Sequence, residues 1–252
     1  MICRSLLFTL AVVAAVVGAA VPVAAVSPGP IQIPAVIAGV QDACTHNILP
    51  AVQSVMTNAA GRRFSPSHVG PGTFRYGSLP AGKYRLFVTA SGYEDLADAK
   101  GPGVNIVKPP GPANVPAGEF VELGLHLLIR LAPVVPPGPC KVQRPGNVPG
   151  GFGIVHDVKT GAPVAGMAVR FTDPTTGLVP PGPPIKIAAG RFTQPQLPAG
   201  TWLLHLSAPS YTGLDGIAVK YPPGPPVLPP DAHGVRPSVA QGLRLGIALS
   251  GA

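Results

Sequence analysis

Residues 72–93 read Gly-Thr-Phe-Arg-Tyr-Gly-Ser-Leu-Pro-Ala-Gly-Lys-Tyr-Arg-Leu-Phe-Val-Thr-Ala-Ser-Gly-Tyr. Residues 190–211 read Gly-Arg-Phe-Thr-Gln-Pro-Gln-Leu-Pro-Ala-Gly-Thr-Trp-Leu-Leu-His-Leu-Ser-Ala-Pro-Ser-Tyr. Gly82 and Gly200 stand 118 positions apart, and so do Tyr93 and Tyr211, with no gap between them. A repeat of about a hundred residues is a domain duplicated, since solenoid units run to roughly 20–50 residues.

The shared block carries its own local structure. Leu-Pro-Ala-Gly closes a turn: proline presets φ early, and glycine supplies the positive φ of a type II turn. Leu79, Pro80 and Gly82, with Leu197, Pro198 and Gly200, therefore define the turn of each copy. After it, Tyr84, Leu86, Val88 and Ala90 alternate with Lys83, Arg85, Phe87 and Thr89; Trp202, Leu204, Leu206 and Ala208 alternate with Thr201, Leu203, His205 and Ser207. A period of two marks a half-buried strand. The first set of each copy is expected in the core with Phe74 and Phe192, at roughly 1.5–3 kcal/mol for each large apolar side chain. Tyr93 and Tyr211 are expected at a corner, each hydroxyl meeting a backbone group or solvent.

Outward from the block, strand signals begin at Ile37 and at Phe152. Met167, Val169 and Phe171 alternate with Ala168, Arg170 and Thr172, and Asp173-Pro174-Thr175-Thr176-Gly177 is a turn. Each copy closes on an alternating strand, Gly124 to Leu131 and Gly242 to Leu249. Short strands, frequent turns and no helical periodicity predict an all-β protein with a sandwich in each half. The expected organisation is a signal peptide over 1–26, a sandwich over 27–132, a Pro/Gly-rich linker over 133–151 and a second sandwich over 152–252.

Composition agrees with turn-rich strands: of 252 residues, 35 are Pro and 32 Gly, and only 11% are charged. Arg4 followed by the apolar run Leu6 to Val17, then small residues near Ala20 and Ala25, reads as a cleaved secretory leader. A membrane anchor is the alternative, and no membrane contact is expected after cleavage. Loss of the leader removes Cys3 and leaves Cys44 and Cys140. In an exported chain two cysteines suggest one disulfide, with free or intermolecularly bonded thiols the other outcome, because sequence gives no distance. The net charge is +8, but the basic residues are scattered and no aromatic stacking platforms accompany them. Nucleic acid is not expected as a partner.

From Gly153 to Val169 the second copy reads Gly-Ile-Val-x-Asp-x-x-Thr-Gly-x-Pro-Val-x-Gly-Met-x-Val, followed by Gly-x-Phe, Leu-Pro-Ala-Gly and a strand reaching Tyr211. This pattern resembles the carboxypeptidase regulatory-like domain, with related collagen-adhesin B-type repeats. The resemblance implies tandem Greek-key, transthyretin-like sandwiches and a non-catalytic module of exported proteins, often adhesive or carbohydrate-associated. The first copy departs before Gly72, with Cys44-Thr45-His46-Asn47 in place of the Thr-Gly turn. Two enzyme branches of similar topology do not fit. The chain ends Leu249-Ser250-Gly251-Ala252 rather than in the Tyr-Arg-Gly-Ser of hydroxyisourate hydrolases. The two Tyr and two His of ring-cleaving dioxygenases form no compact group.

The remaining candidate chemistry is sparse. His156-Asp157 could couple acid and base, but an Asp at a turn caps backbone amides. His126 and His205 are expected to face solvent from strands, and His46, His68 and His233 lie in loops. Glu94, Asp95 and Asp98 form the only acidic cluster, a calcium site at best. Glu119 and Glu122 lie on the approach to the final strand of the first copy, where they could pair with Lys or Arg. No Ser-His-Asp constellation, metal-ligand spacing or phosphate loop can be assembled. No catalytic residue, cofactor or metal site is expected. The sequence predicts an exported binding or matrix protein that presents loops to a glycan or protein surface. The alternatives are a wall or matrix component linked through modified Pro-Pro-Gly-Pro loops, and an accessory module of an exported enzyme. Oligomeric state is left open.

Overall fold

The computed structural model describes residues 33–136, 138, 140, 150–225 and 228–252. The expected signal peptide and most of the expected linker lie outside these residues. Among the described residues every regular element is a strand. In the first half these are β1 (Val36–Asp42), β2 (Val52–Asn58), β3 (Arg63–Phe64), β4 (Ser67–Gly70), β5 (Thr73–Tyr76), β6 (Gly82–Ala90), β7 (Ala97–Asp98), β8 (Gly101–Pro102), β9 (Val104–Lys108) and β10 (Phe120–Leu131). In the second they are β11 (Gly151–Asp157), β12 (Ala168–Thr172), β13 (Lys186–Ala188), β14 (Arg191–Gln194), β15 (Gly200–Ser207), β16 (Leu214–Tyr221) and β17 (Ser238–Leu249).

Each half lays a small sheet over part of a large one. The small sheets run β3-β2-β6-β9 and β12-β15-β16. Tyr84, Leu86 and Val88 of β6 are buried with Phe74 and with Leu125, Leu127 and Leu131 of β10 in one core. Trp202, Leu204 and Leu206 of β15 are buried with Phe192 and with Leu243, Leu245, Ile247 and Leu249 of β17 in another. Alternation explains the faces: along β6 and β15 every second side chain is apolar, and those are the ones removed from water.

The large sheet crosses both copies. Its order is β13-β14-β11-β17-β10-β1-β5-β4, so eight strands form one continuous ladder. β1 runs parallel to β10, β11 runs parallel to β17, and β10 meets β17 antiparallel from Phe120↔Ala248 to Arg130↔Ser238. Leu125 lies opposite Leu243, its own counterpart in the repeat, so a local two-fold axis passes beside that pair. The closing strands also start earlier than their alternation suggests, at Phe120 and Ser238. Val121 and Leu123, at the leading end of β10, pack into the second core, whereas Leu125, Leu127, Ile129 and Leu131 pack into the first. Leu228 and Val239 of the second half pack against the first core in return. The two halves share a sheet and trade side chains.

Three turns depart from the sequence expectation. Gly82 and Gly200 take φ of 156° and 150°, well away from the roughly +80° that a type II turn requires. The Leu-Pro-Ala-Gly turn is instead closed by a ring: the Tyr84 hydroxyl donates to the Pro80 carbonyl at 2.7 Å, and the Trp202 indole N–H donates to the Pro198 carbonyl at 2.8 Å. Leu79 and Leu197, each 5% exposed, anchor the turn in the core. Second, Cys44-Thr45-His46-Asn47 does not replace the Thr-Gly turn; it forms the same one. Asp42 Oδ1 accepts from the Cys44 and Thr45 amides as Asp157 Oδ1 accepts from Lys159 and Thr160. His46 (φ 63°) occupies the left-handed position held by Gly161 (φ 71°) in the second copy. Third, the corner tyrosine of the first copy bonds a carboxylate rather than backbone or solvent: the Tyr93 hydroxyl donates to Asp42 Oδ2 at 2.8 Å.

A disulfide joins Cys44 to Cys140 across 96 positions. It packs with Ala132 and with Val235 of the second half, so the segment between the copies is tied to the first half beside the Asp42 turn.

Candidate functional site

Most of the polar residues singled out above hold structure. Asp98 is 7% exposed and its carboxylate is filled: it accepts from the Arg85 guanidinium at 2.9 Å, the Lys100 amide at 2.8 Å and Asn105. Burial pushes its pKa up, but these bonds outweigh burial and hold it below the ordinary value. It offers no open oxygens for calcium. Glu119 clamps the Ser250 amide and hydroxyl, and Glu122 accepts from the Ile33 amide and acts electrostatically on Lys108; among the described residues neither makes a close ion pair with Lys or Arg. His126 and His156 are lowered chiefly by burial and then by Arg244 and Arg191 respectively, which keeps both neutral. Neither faces solvent freely. The His46 and His233 backbones sit in Asp-capped turns, and His68 lies on β4. Among the described residues no group of three His, Cys, Asp or Glu side chains could hold a metal ion.

His205 is different. It projects from β15 onto the outer face of the second small sheet, as its alternation requires, yet its side chain is only 21% exposed. Its Nδ1 lies 2.5 Å from Asp215 Oδ1, and its Nε2 lies 2.9 Å from Thr172 Oγ1. Thr172 is the diagonal neighbour on β12, which a regular ladder supplies. Asp215 is supplied by an irregularity. The β15–β16 register shifts between Leu204 and Leu206, leaving Asp215 and Gly216 opposite the single residue His205. Gly216 has φ 66°, the left-handed conformation that lets a strand bulge and re-aim a side chain.

Beside this chain of three lies an open groove of about 610 Å³, lined by Ala168, Arg170, His205, Ser207, Gly213 and Asp215 among others. Arg170 pairs directly across the ladder with His205 and is exposed. Among the described residues its guanidinium has no side-chain or backbone partner. The first copy places Val55 opposite Phe87 at the equivalent ladder position, so its outer face there is apolar. The Arg170–His205 pair of the groove has no polar counterpart at that ladder position in the first copy.

The bonding order limits the chemistry. A carboxylate only accepts, so Nδ1 carries the proton that Asp215 receives. Nε2 is engaged by the Thr172 hydroxyl, and no ring nitrogen is left for a substrate. Hydroxyl, imidazole and carboxylate in sequence is the order of an acyl-transfer triad. Here the hydroxyl residue is 6% exposed and lies outside the groove lining, while the carboxylate is 95% exposed. That inverts what a nucleophile and its orienting acid need. The imidazole is a fixed wall, and the free groups are the Arg170 fork, the Ser207 hydroxyl and the outer oxygen of Asp215.

Along the sequence His205 reads as a solvent-facing strand residue, and no such constellation is visible around it. Thr172, His205 and Asp215 come together across gaps of 33 and 10 positions. Only the strand pairing and the bulge make them neighbours. A scan of protein-family models finds no match to the chain, and a search of curated proteins finds none.

Proposed function

We propose that this is an exported, non-catalytic binding protein in which two tandem, transthyretin-like sandwich modules present loops and one polar sheet face to a glycan or protein surface. The observation that carries the reading is the groove beside His205. Arg170, Ser207 and the outer oxygen of Asp215 carry no bond among the described residues, while the imidazole in the groove is bonded at both nitrogens. Fixed polar groups around an accessible concavity suit recognition more than turnover. The leader-like segment and the Cys44–Cys140 bond fit an oxidising, extracellular setting.

The test is a glycan array and a pull-down from extracellular material with the chain from residue 27 onward. The expected result is a ligand retained by the native protein and lost on His205→Ala with Asp215→Ala. Turnover of any substrate that depends on His205 would overturn the reading, and so would failure to retain a ligand of either kind.

A second reading, a matrix component linked through modified prolines, is favoured by one observation. Pro110, Pro181 and Pro223 of the Pro-Pro-Gly-Pro runs are exposed. Mass spectrometry of the exported protein separates the two, and unmodified prolines throughout would remove this one.

A further inference from the structure

Among the described residues the groove beside His205 presents one guanidinium that makes no ion pair, and that narrows what it would hold. We propose that the groove binds a carboxylate-bearing sugar, a uronate unit of an acidic polysaccharide, with Arg170 as the group that reads the carboxylate. The proposal rests on the binding function above and names its ligand class.

Arg170 projects from β12 into the lining of the groove and is bonded to nothing among the described residues. The one carboxylate in the groove, Asp215, bonds the Nδ1 of His205, and among the described residues no ion pair joins it to the guanidinium. A planar guanidinium matches a carboxylate in a two-point fork, a geometry that ammonium groups lack. Ser207, cross-strand from Ala168 and exposed, offers a hydroxyl that both donates and accepts. The outer oxygen of Asp215 is an acceptor for a sugar hydroxyl. Cation, hydroxyl and acceptor thus line the same groove, the set that a polyhydroxylated ring with one carboxylate would fill. The whole chain carries a net charge of +8, which draws an acidic polymer to the surface before any local contact forms.

The first copy is an internal control. Val55 and Phe87 occupy the positions of Arg170 and His205, so that half has no equivalent fork. The stoichiometry should be one site per chain.

The experiment is titration calorimetry of the chain from residue 27 onward with oligogalacturonate, its methyl ester and a neutral glucan oligomer. Variants are Arg170→Ala, Arg170→Lys and the distant double change Arg62→Ala with Arg63→Ala. The expected result is one site for the acid, weakened at least tenfold by Arg170→Ala and weakened by methyl esterification. Arg170→Lys should restore only part of the affinity, and the Arg62/Arg63 change should leave it within twofold. Because Arg170 is exposed and unbonded, an unchanged urea midpoint for Arg170→Ala verifies that folding is intact. Equal losses in the Arg170 and Arg62/Arg63 variants would mean diffuse charge and overturn the proposal. Equal affinity for acid and ester, still lost on Arg170→Ala, would overturn the carboxylate and leave a glycan-binding groove standing. Binding of no sugar, with a protein captured through the same face, would overturn the uronate alone; binding of nothing would remove both readings.

Discussion

Asp42 takes hydrogen bonds from two backbone amides on one oxygen and from the Tyr93 hydroxyl on the other. Burial raises its pKa, but the bonds from Thr45, Tyr93 and Cys44 together prevail and hold it below 3.8, as the partners of Asp98 do there. Both groups therefore lend stability that is present above 3.8 and lost as pH falls through their lower folded values. The urea midpoint should be level near neutrality and drop below about pH 4. Tyr93→Phe should lower stability by roughly 1–2 kcal/mol at pH 7 and make the acid limb shallower; an unchanged midpoint would show that the bond contributes nothing. His46 is strained where its counterpart Gly161 is relaxed, so His46→Gly should raise stability by about 1 kcal/mol in the same titration. This turn was legible in the second copy, where Thr160-Gly161 announces it, and hidden in the first. A histidine in the left-handed region gives no compositional signal.

The bulge in β15–β16 does for the site what no side-chain pattern could reveal. Alternation assigns Leu203, His205 and Ser207 to one face and Trp202, Leu204 and Leu206 to the other, and this much was readable along the chain. It cannot say which residue of another strand lies beside His205, because that depends on a register shift of one residue in the partner. Gly216→Ala puts a Cβ into a left-handed position and should cost about 1–2 kcal/mol. It should also turn Asp215 away from the ring. In nitrogen-15 NMR, the native protein should show a slowly exchanging Nδ1 proton on His205, and the variant should lose it. Retention of that signal at native intensity would mean the bulge does not need the glycine.

Across the molecule, β10 is the element with two allegiances. Its leading residues complete the second core and the rest complete the first, and its backbone pairs with β17 along eleven positions from Phe120 to Arg130. The apolar character of the strand was plain in the sequence; its partner was not, since edge pairing is made by backbone groups that every residue carries. Thermal unfolding should therefore be a single transition with coincident near- and far-ultraviolet signals, and two separated transitions would contradict the shared sheet. A fragment ending at residue 132 exposes the apolar end of β10 and should be unfolded or aggregated. The Cys44–Cys140 bond closes a loop of 96 positions. In the chain-entropy account its removal by Cys44→Ser with Cys140→Ser should cost roughly 4–5 kcal/mol, read as a lowered urea midpoint.

The pairing of Leu125 with Leu243 has an evolutionary and a practical corollary. A surface that meets its own duplicate about a two-fold axis is what a homodimer of single modules would use, so the present chain has the form of such a dimer fused into one polypeptide. The fusion does not abolish the ancestral ambiguity. The second half of one chain fits the first half of another as well as it fits its own. Refolding at high concentration should accordingly yield exchanged dimers that rebuild the same eight-stranded ladder, their share rising with concentration on size-exclusion chromatography and falling when refolding is dilute.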